Sequence, residues 1–323
     1  MRDKTLDLYF HSPCFDGVTA AVLCWDFFEQ RDEARAVRLH PVAYDIRDRW
    51  LATPLPAHAA VVDFLFHPAA GFWADHHATT FLIDALRTQV DTARSPRWVY
   101  DPSAPSCATL LRRHLKKHFG YHNDRYDTLV DWAGKIDSAS YRSVKEALLA
   151  PTAALQISLS LTGADPAFCI RLVRQLKRHS MSRVAGSPMV QRRVRKAKAS
   201  LKEGLRRLAR TVRLMDGEIV VFDVDAGDAP VNRYAPYYFY PRARYSVGAL
   251  RLGDAVKITA MRNPWRHFES VPIGSILSRY GGGGHQRVGS VLLTKGARRR
   301  APEVLRQLVA EIRERDRANR QAS

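Results

Sequence analysis

An α/β fold in two parts is what this sequence predicts: an N-terminal parallel sheet with flanking helices, a connector helix, and a smaller C-terminal α/β domain. Three features point to it. The first half alternates short β-rich runs with helical patterns, the mark of a parallel sheet flanked by helices. A single long amphipathic stretch follows, from Met189 to Leu214. Beyond it "GEIVVFDVD" opens a second β-rich region. The expected division is residues 1–188, 189–214 as connector helix, and 215–323.

The elements can be taken in order. "TLDLYFHS" reads as a strand and "GVTAAVLCWDFFEQ" as the helix after it. "AVRLHPVAY", "AHAAVVDFLFH", "GFWAD" and "RWVYD" read as further strands. "SAPSCATLLRRHLKKHF" and "DRYDTLVDWAGKI" read as helices, the first opening on plausible capping residues. In the connector, Val190, Val194, Ala197, Leu201, Leu205, Leu208 and Val212 fall three or four apart and make one apolar stripe, with Arg and Lys on the other faces. "ARYSVGALRLGDAVKITAMRN" continues the second β-rich region. A glycine cluster, a strand "SVLLT" and a charged helix from about Pro302 close the chain.

Length and composition bound the function. With 323 residues the chain suits two domains, and 46% hydrophobic against 26% charged residues is ordinary for a folded protein. The charge balance is not ordinary: 51 Lys and Arg against 32 Asp and Glu give a net charge of +19, which favours polyanions such as RNA, DNA or polyphosphate as partners. The four cysteines, 14, 24, 107 and 169, form no CxxC pair, and "MRDKTLDLYF" lacks the apolar stretch of a signal peptide. A reduced, cytoplasmic location is therefore expected. No window approaches the roughly 18 apolar residues of a membrane-spanning helix, so no membrane role is expected.

Candidate chemistry gathers at four places read as strand ends. His11 and Asp16 follow the first strand, Asp63 lies in "VVDFLFH", Asp75, His76 and His77 are consecutive, and Asp137 lies in "WAGKIDSAS". In an open parallel sheet the carboxyl ends of strands line a common crevice, so such residues can converge. Mixed imidazole and carboxylate ligands suit Mn²⁺ or a similar ion better than structural zinc. Each residue alone has a plainer reading, as a turn or helix cap. Further on, "YGGGGHQRVGS" offers glycines whose backbone can approach a ligand closely and donate N–H groups to phosphate, with His285 and Arg287 at once after them.

The set "HSPCFDG", "VVDF", "DHH" and Asp137, followed in order by "GGGGH", resembles the DHH phosphoesterase superfamily, in particular its members with a DHHA1 domain: nanoRNases, oligoribonucleases and RecJ-type exonucleases. The likeness spans nearly the whole chain. It implies a DHH domain, a connector helix and a DHHA1 substrate-binding domain. It also implies two Mn²⁺ ions, with Mg²⁺ or Co²⁺ as alternatives: His11 on one, Asp16, His76 and Asp137 on the other, Asp63 bridging. Asp75 would orient ligands and His77 face the substrate phosphate. Arg262 in "AMRNPW", with Gly282, Gly283, Gly284 and His285, would bind substrate. Cys14 stands where many members have an aspartate, and it reads equally as a ligand of altered metal preference or as a small buried residue.

The expected activity is hydrolysis of short RNA or DNA oligonucleotides or nucleotide phosphoesters by a water that two metal ions activate. An inorganic polyphosphatase is the alternative enzyme. A nucleic-acid-binding protein without turnover on the same scaffold is the alternative outside catalysis. A homodimer is compatible with the sequence.

Overall fold

The computed structural model describes residues 5–56, 58–225, 227 and 231–322. The chain divides into two compact units, Met1–Tyr141 with Ala150–Val194, and Arg142–Leu149 with Arg195–Ser323. Among the described residues no helix is long and apolar enough to cross a membrane.

The first unit begins with strand β1 (Thr5–His11), helix α1 (Phe15–Gln30), β2 (Ala36–Val42), β3 (Ala59–Val62), β4 (Phe72–Asp75), α2 (Asp84–Ala93) and β5 (Trp98–Tyr100). Helices α3 (Cys107–Phe119) and α4 (Asp127–Asp137) follow. After α5 (Val144–Leu149), which belongs to the second unit, come α6 (Ala153–Ser160), α7 (Pro166–Arg178) and α8 (Met181–Ala185). The five strands run parallel in the order β2-β1-β3-β4-β5, as the α/β reading expects.

Both faces of this sheet are covered, which is why its strands read as near-continuous apolar runs. Leu8, Phe10, Ala60, Val62 and Phe72 pack on α1 and α3, while Val61 and Trp73 join Trp50, Phe64 and Phe66 on the other face. Helix α1 is buried along almost its whole length, from Phe15 to Phe28. A helix with apolar residues on every side can only sit inside a core. The strand read over "AHAAVVDFLFH" is shorter than its apolar run. It stops at Val62 because Asp63 turns into the left-handed region, φ 57°.

Helix α9 (Pro188–Ala209) spans the junction, with Val190 and Val194 in the first unit's core and Leu208 in the second's. It ends five residues before the expected Leu214. Thr211 and Val212 are β-branched and resist helix, their N–H groups fold back onto the Leu208 carbonyl, and β6 (Arg213–Met215) begins.

In the second unit β6 is followed by β7 (Ile219–Asp225), α10 (Pro236–Phe239), β8 (Tyr245–Leu252), β9 (Ala255–Arg262), α11 (Ile273–Ser278), β10 (Gly283–His285), β11 (Val288–Leu293) and α12 (Ala301–Ala322). The sheet order is β10-β11-β9-β8-β7-β6, parallel only between β7 and β8. Its core sets Val247, Ala249, Ile258 and Ala260 against Ile276, Leu277, Leu308 and Ile312 of α11 and α12.

Candidate metal centre

The carboxyl ends of β1, β3 and β4 carry the acidic and imidazole side chains. His11 is the last residue of β1, Asp63 follows β3 directly, Asp75 closes β4, and His76 and His77 come next. Asp16 lies in the first turn of α1, and Asp137 ends α4. Two close approaches make this convergence possible. The left-handed turn at Asp63 swings its carboxylate off the strand line, a conformation aspartate tolerates better than most residues. At Gly17 a Cβ would collide with the His11 carbonyl and come within 3.1 Å of Asp63 Oδ2, so only glycine lets α1 start this close to β1.

The side chains fall into linked groups. His11 Nδ1 lies 3.4 Å from Asp63 Oδ2. His76 Nε2 lies 3.2 Å from Asp137 Oδ2, 3.7 Å from Asp16 Oδ2 and 3.8 Å from Asp63 Oδ1. Asp63 thus faces both imidazoles, one through each oxygen. Potential ligand atoms of His11, Cys14 and Asp63 lie within 4.8 Å of one another, as do those of Asp16, His76 and Asp137.

A surrounding frame aims them. Asp16 accepts from the backbone N–H groups of Cys107 at 2.6 Å and Ala108 at 2.9 Å, at the N-terminus of α3. His76 Nδ1 is fixed by the Ala104 carbonyl at 3.0 Å, leaving Nε2 toward the carboxylates. Asp75 Oδ1 accepts from the His76 N–H and pairs with His77 Nδ1, both at 2.8 Å.

What this frame leaves unfilled is the main chemical clue. Both oxygens of Asp63, His11 Nδ1, His76 Nε2 and Asp75 Oδ2 are buried with no hydrogen-bond partner among the described residues. Buried polar atoms are normally partnered, and here several converge with Asp63 only 1% exposed. Burial, then the neighbouring Asp16, pushes the Asp63 pKa well up. Burial and Asp137 raise Asp16 to about 6. Burial works against charge on His76, but Asp137, Asp16 and Asp75 hold it up at about 9. Burial, helped by His77, lowers His11 to about 4, and burial and Asp16 raise the Cys14 thiol to about 12. Several carboxylates cannot all ionise this close together unless cations join them. Unpartnered imidazole and carboxylate atoms are the donor set that divalent ions take, so the residues fit metal binding.

Tyr44 was not singled out by sequence reasoning. It lay at the end of a run read as a strand, but it starts a 3₁₀ turn, Tyr44–Ala52, and its ring meets His11 and His77 edge-on at 5.0 and 6.4 Å. It is 37% exposed, an aromatic surface beside the acidic pocket. Nothing in its local sequence distinguishes it from a strand residue.

The second unit holds the other sequence-derived candidates. The glycine cluster is not an open loop: Gly283 and Gly284 lie in β10, paired antiparallel with Ser290 and Gly289 of β11. A Cβ at Gly282 or Gly284 would collide with the carbonyl of Ser290 or Val288, and one at Gly289 would reach Leu277 at 2.7 Å. Close packing of strands and helix therefore explains Gly282, Gly284 and Gly289, whereas a Cβ at Gly283 would meet nothing within 4 Å. Gly283 and Gly284 also border a hollow of about 320 Å³ that Asn232, Arg233, Lys257 and Thr259 line. The side chain of His285 lies outside the described residues. Arg262 is buried, its Nη2 donating to the carbonyls of Arg266 at 2.7 Å and Phe268 at 3.0 Å, with the Phe268 ring 4.5 Å beneath its guanidinium. In this state much of that guanidinium tethers the 263–268 turn.

No protein-family model and no curated protein sequence matches the chain. Solved structures do. The pGpG-specific phosphodiesterase PggH of Vibrio cholerae superposes with a TM-score of 0.73 at 18% identity, over 96% of this chain and 99% of that one. RecJ of Thermus thermophilus, solved with Mn²⁺, gives 0.58 at 13% identity, over 96% of this chain and 52% of RecJ. A DHH domain from a protein described as a member of a family of ribosomal proteins gives 0.56 at 14% identity, over 96% of this chain and 87% of that one.

Proposed function

We propose that this chain, whose fold is that of the DHH superfamily, is a divalent-metal-dependent phosphoesterase acting on short oligonucleotides or nucleotide phosphoesters. One observation carries the proposal: five buried imidazole and carboxylate atoms without hydrogen-bond partners among the described residues converge where strands β1, β3 and β4 end. His11 and Asp63 would hold one cation and Asp16, His76 and Asp137 a second, with Asp63 shared between them. When bound, such ions activate water and neutralise charge on the phosphate oxygens.

The remaining steps fall to the chain's own side chains. Asp75 pins His77 Nδ1, so Nε2 is the nitrogen available to a phosphate oxygen. Burial disfavours a charged His77, yet the bond to Asp75 outweighs it and raises the pKa, which favours donation to developing negative charge. Tyr44 offers a face on which a base beside the scissile phosphate can stack. In the second unit Arg233 and Lys257, around the hollow beside Gly283 and Gly284, offer donors to a phosphate oxygen. Residues 215–323 would then act as the substrate-binding domain.

A linear dinucleotide such as pGpG heads the test panel, because the protein with the similar fold from Vibrio cholerae is described as specific for it. Two- to five-residue RNA and DNA and polyphosphate complete the panel. Mn²⁺-dependent release of mononucleotides is expected, abolished by a chelator. Orthophosphate from polyphosphate in place of nucleotides would point to a polyphosphatase. Salt-sensitive binding of long RNA or DNA without any product would leave only a binding protein.

A further inference from the structure

The two proposed cation positions are chemically unlike, because one of them includes sulfur. Cys14 precedes α1 as its N-cap residue, with extended backbone (φ −132°, ψ 142°), and its side chain makes no capping hydrogen bond. Ser, Thr, Asp and Asn are favoured at that position because an oxygen there accepts from a free N–H. Cysteine is a poorer cap than these residues, which leaves the sulfur available to a ligand.

Its neighbours supply one. Ligand atoms of His11, Cys14 and Asp63 lie within 4.8 Å of one another, close to what one ion with bonds of about 2.0–2.3 Å spans. His11 Nδ1 and both oxygens of Asp63 are buried there without partners among the described residues. The other three cysteines are fully buried in the apolar core, and the Cys107 thiol donates to the Ala74 carbonyl. Cys14 alone is partly exposed.

We propose that Cys14 Sγ ligates the cation held by His11 and Asp63, making that position favour Co²⁺ or Zn²⁺ over Mn²⁺ or Mg²⁺. The position formed by Asp16, His76 and Asp137 has only oxygen and nitrogen and keeps the harder preference. Thiolates select softer ions, carboxylates Mn²⁺ and Mg²⁺. The pair is therefore built for two different metals. This inference rests on the metal-binding reading above.

Cobalt spectroscopy on the full-length metal-free protein, in a thiol-free reductant, separates the two. Co²⁺ titration should give visible d–d bands together with a near-ultraviolet sulfur-to-cobalt charge-transfer band. Cys14→Ser should remove the charge-transfer band, retain d–d bands and weaken Co²⁺ at one position by at least about tenfold. Because serine is the better N-cap, that variant should fold, as a cooperative thermal transition will show. Cys14→Asp should shift the same position toward Mn²⁺ in competition with Co²⁺. Visible bands in the wild type without the charge-transfer band, or a charge-transfer band that survives Cys14→Ser, would overturn ligation by Cys14 while leaving the metal centre standing. No d–d bands at all would overturn the metal-binding reading, and this inference with it.

Discussion

Helix α1 carries two buried aspartates that have met opposite fates. Near its end Asp26 accepts from Tyr121 at 2.7 Å, Asn123 at 2.9 Å and Gln30 at 2.7 Å, and pairs with Lys177 Nζ at 2.9 Å. Burial alone would raise its pKa, but those partners lower it. Near the start Asp16 has two backbone N–H donors yet faces Asp137 and Asp63, and its pKa rises to about 6. The two carboxylates are equally out of solvent, 5% and 1% exposed. What separates them is their neighbours: Asp26 is met by hydrogen-bond donors, Tyr121 and Asn123 first, while Asp16 has Asp137 and Asp63 beside it. Where donors satisfy the carboxylate the group serves stability, and where acids gather the site awaits a ligand.

That contrast can be broken or sharpened in four ways. Asp63→Asn should reduce Mn²⁺-dependent hydrolysis by more than the roughly 100-fold known for residues that merely support a ligand, measured on a dinucleotide substrate. Retained turnover would remove the case for a shared cation. Asp26→Ala should leave metal-dependent turnover per folded molecule unchanged and cost about 1–3 kcal/mol of stability, read by urea unfolding, since it leaves Tyr121 and Asn123 without their acceptor while Lys177 keeps Glu29. Mn²⁺ at about 100 times its dissociation constant should stabilise the wild type by roughly 2.7 kcal/mol, and Asp63→Asn much less, in thermal melts with and without chelator.

The fourth test is in pH. A depressed carboxyl such as Asp26 contributes stability above its unfolded pKa, and that contribution is lost as pH falls through the folded value. A raised one such as Asp16 does the reverse, contributing below its unfolded pKa and losing this as pH rises through about 6. For metal binding, His76 must shed its proton below about 9, and Asp16 below about 6. Calorimetric titration with Mn²⁺ should therefore show affinity rising about tenfold per pH unit between 6 and 9, and more steeply below 6. A flat profile would mean that neither group binds the ion.

Much of the first unit was legible in its sequence because parallel strands and α1 leave continuous apolar runs, and their ends mark where chemistry can collect. His11, Asp63, Asp75, His76 and His77 sit at such ends. Asp137 does not: it reaches the pocket from the end of α4, a tertiary placement that no local pattern displays. Glycines 282 and 284 read as a phosphate cradle because a missing Cβ looks the same in sequence whether a ligand or a neighbouring strand fills the space. Arg262 is a substrate-binding candidate by resemblance, and only the folded turn around Phe268 shows its guanidinium already engaged. Tyr44 was invisible for the converse reason, since its value lies wholly in the company it keeps.

The eight residues Arg142–Leu149 belong to the second unit although the chain on both sides of them belongs to the first. The polypeptide therefore crosses the border three times, and no single break point yields either half intact. A cut between Val194 and Arg195 would leave α5 joined to the first unit although it packs with the second.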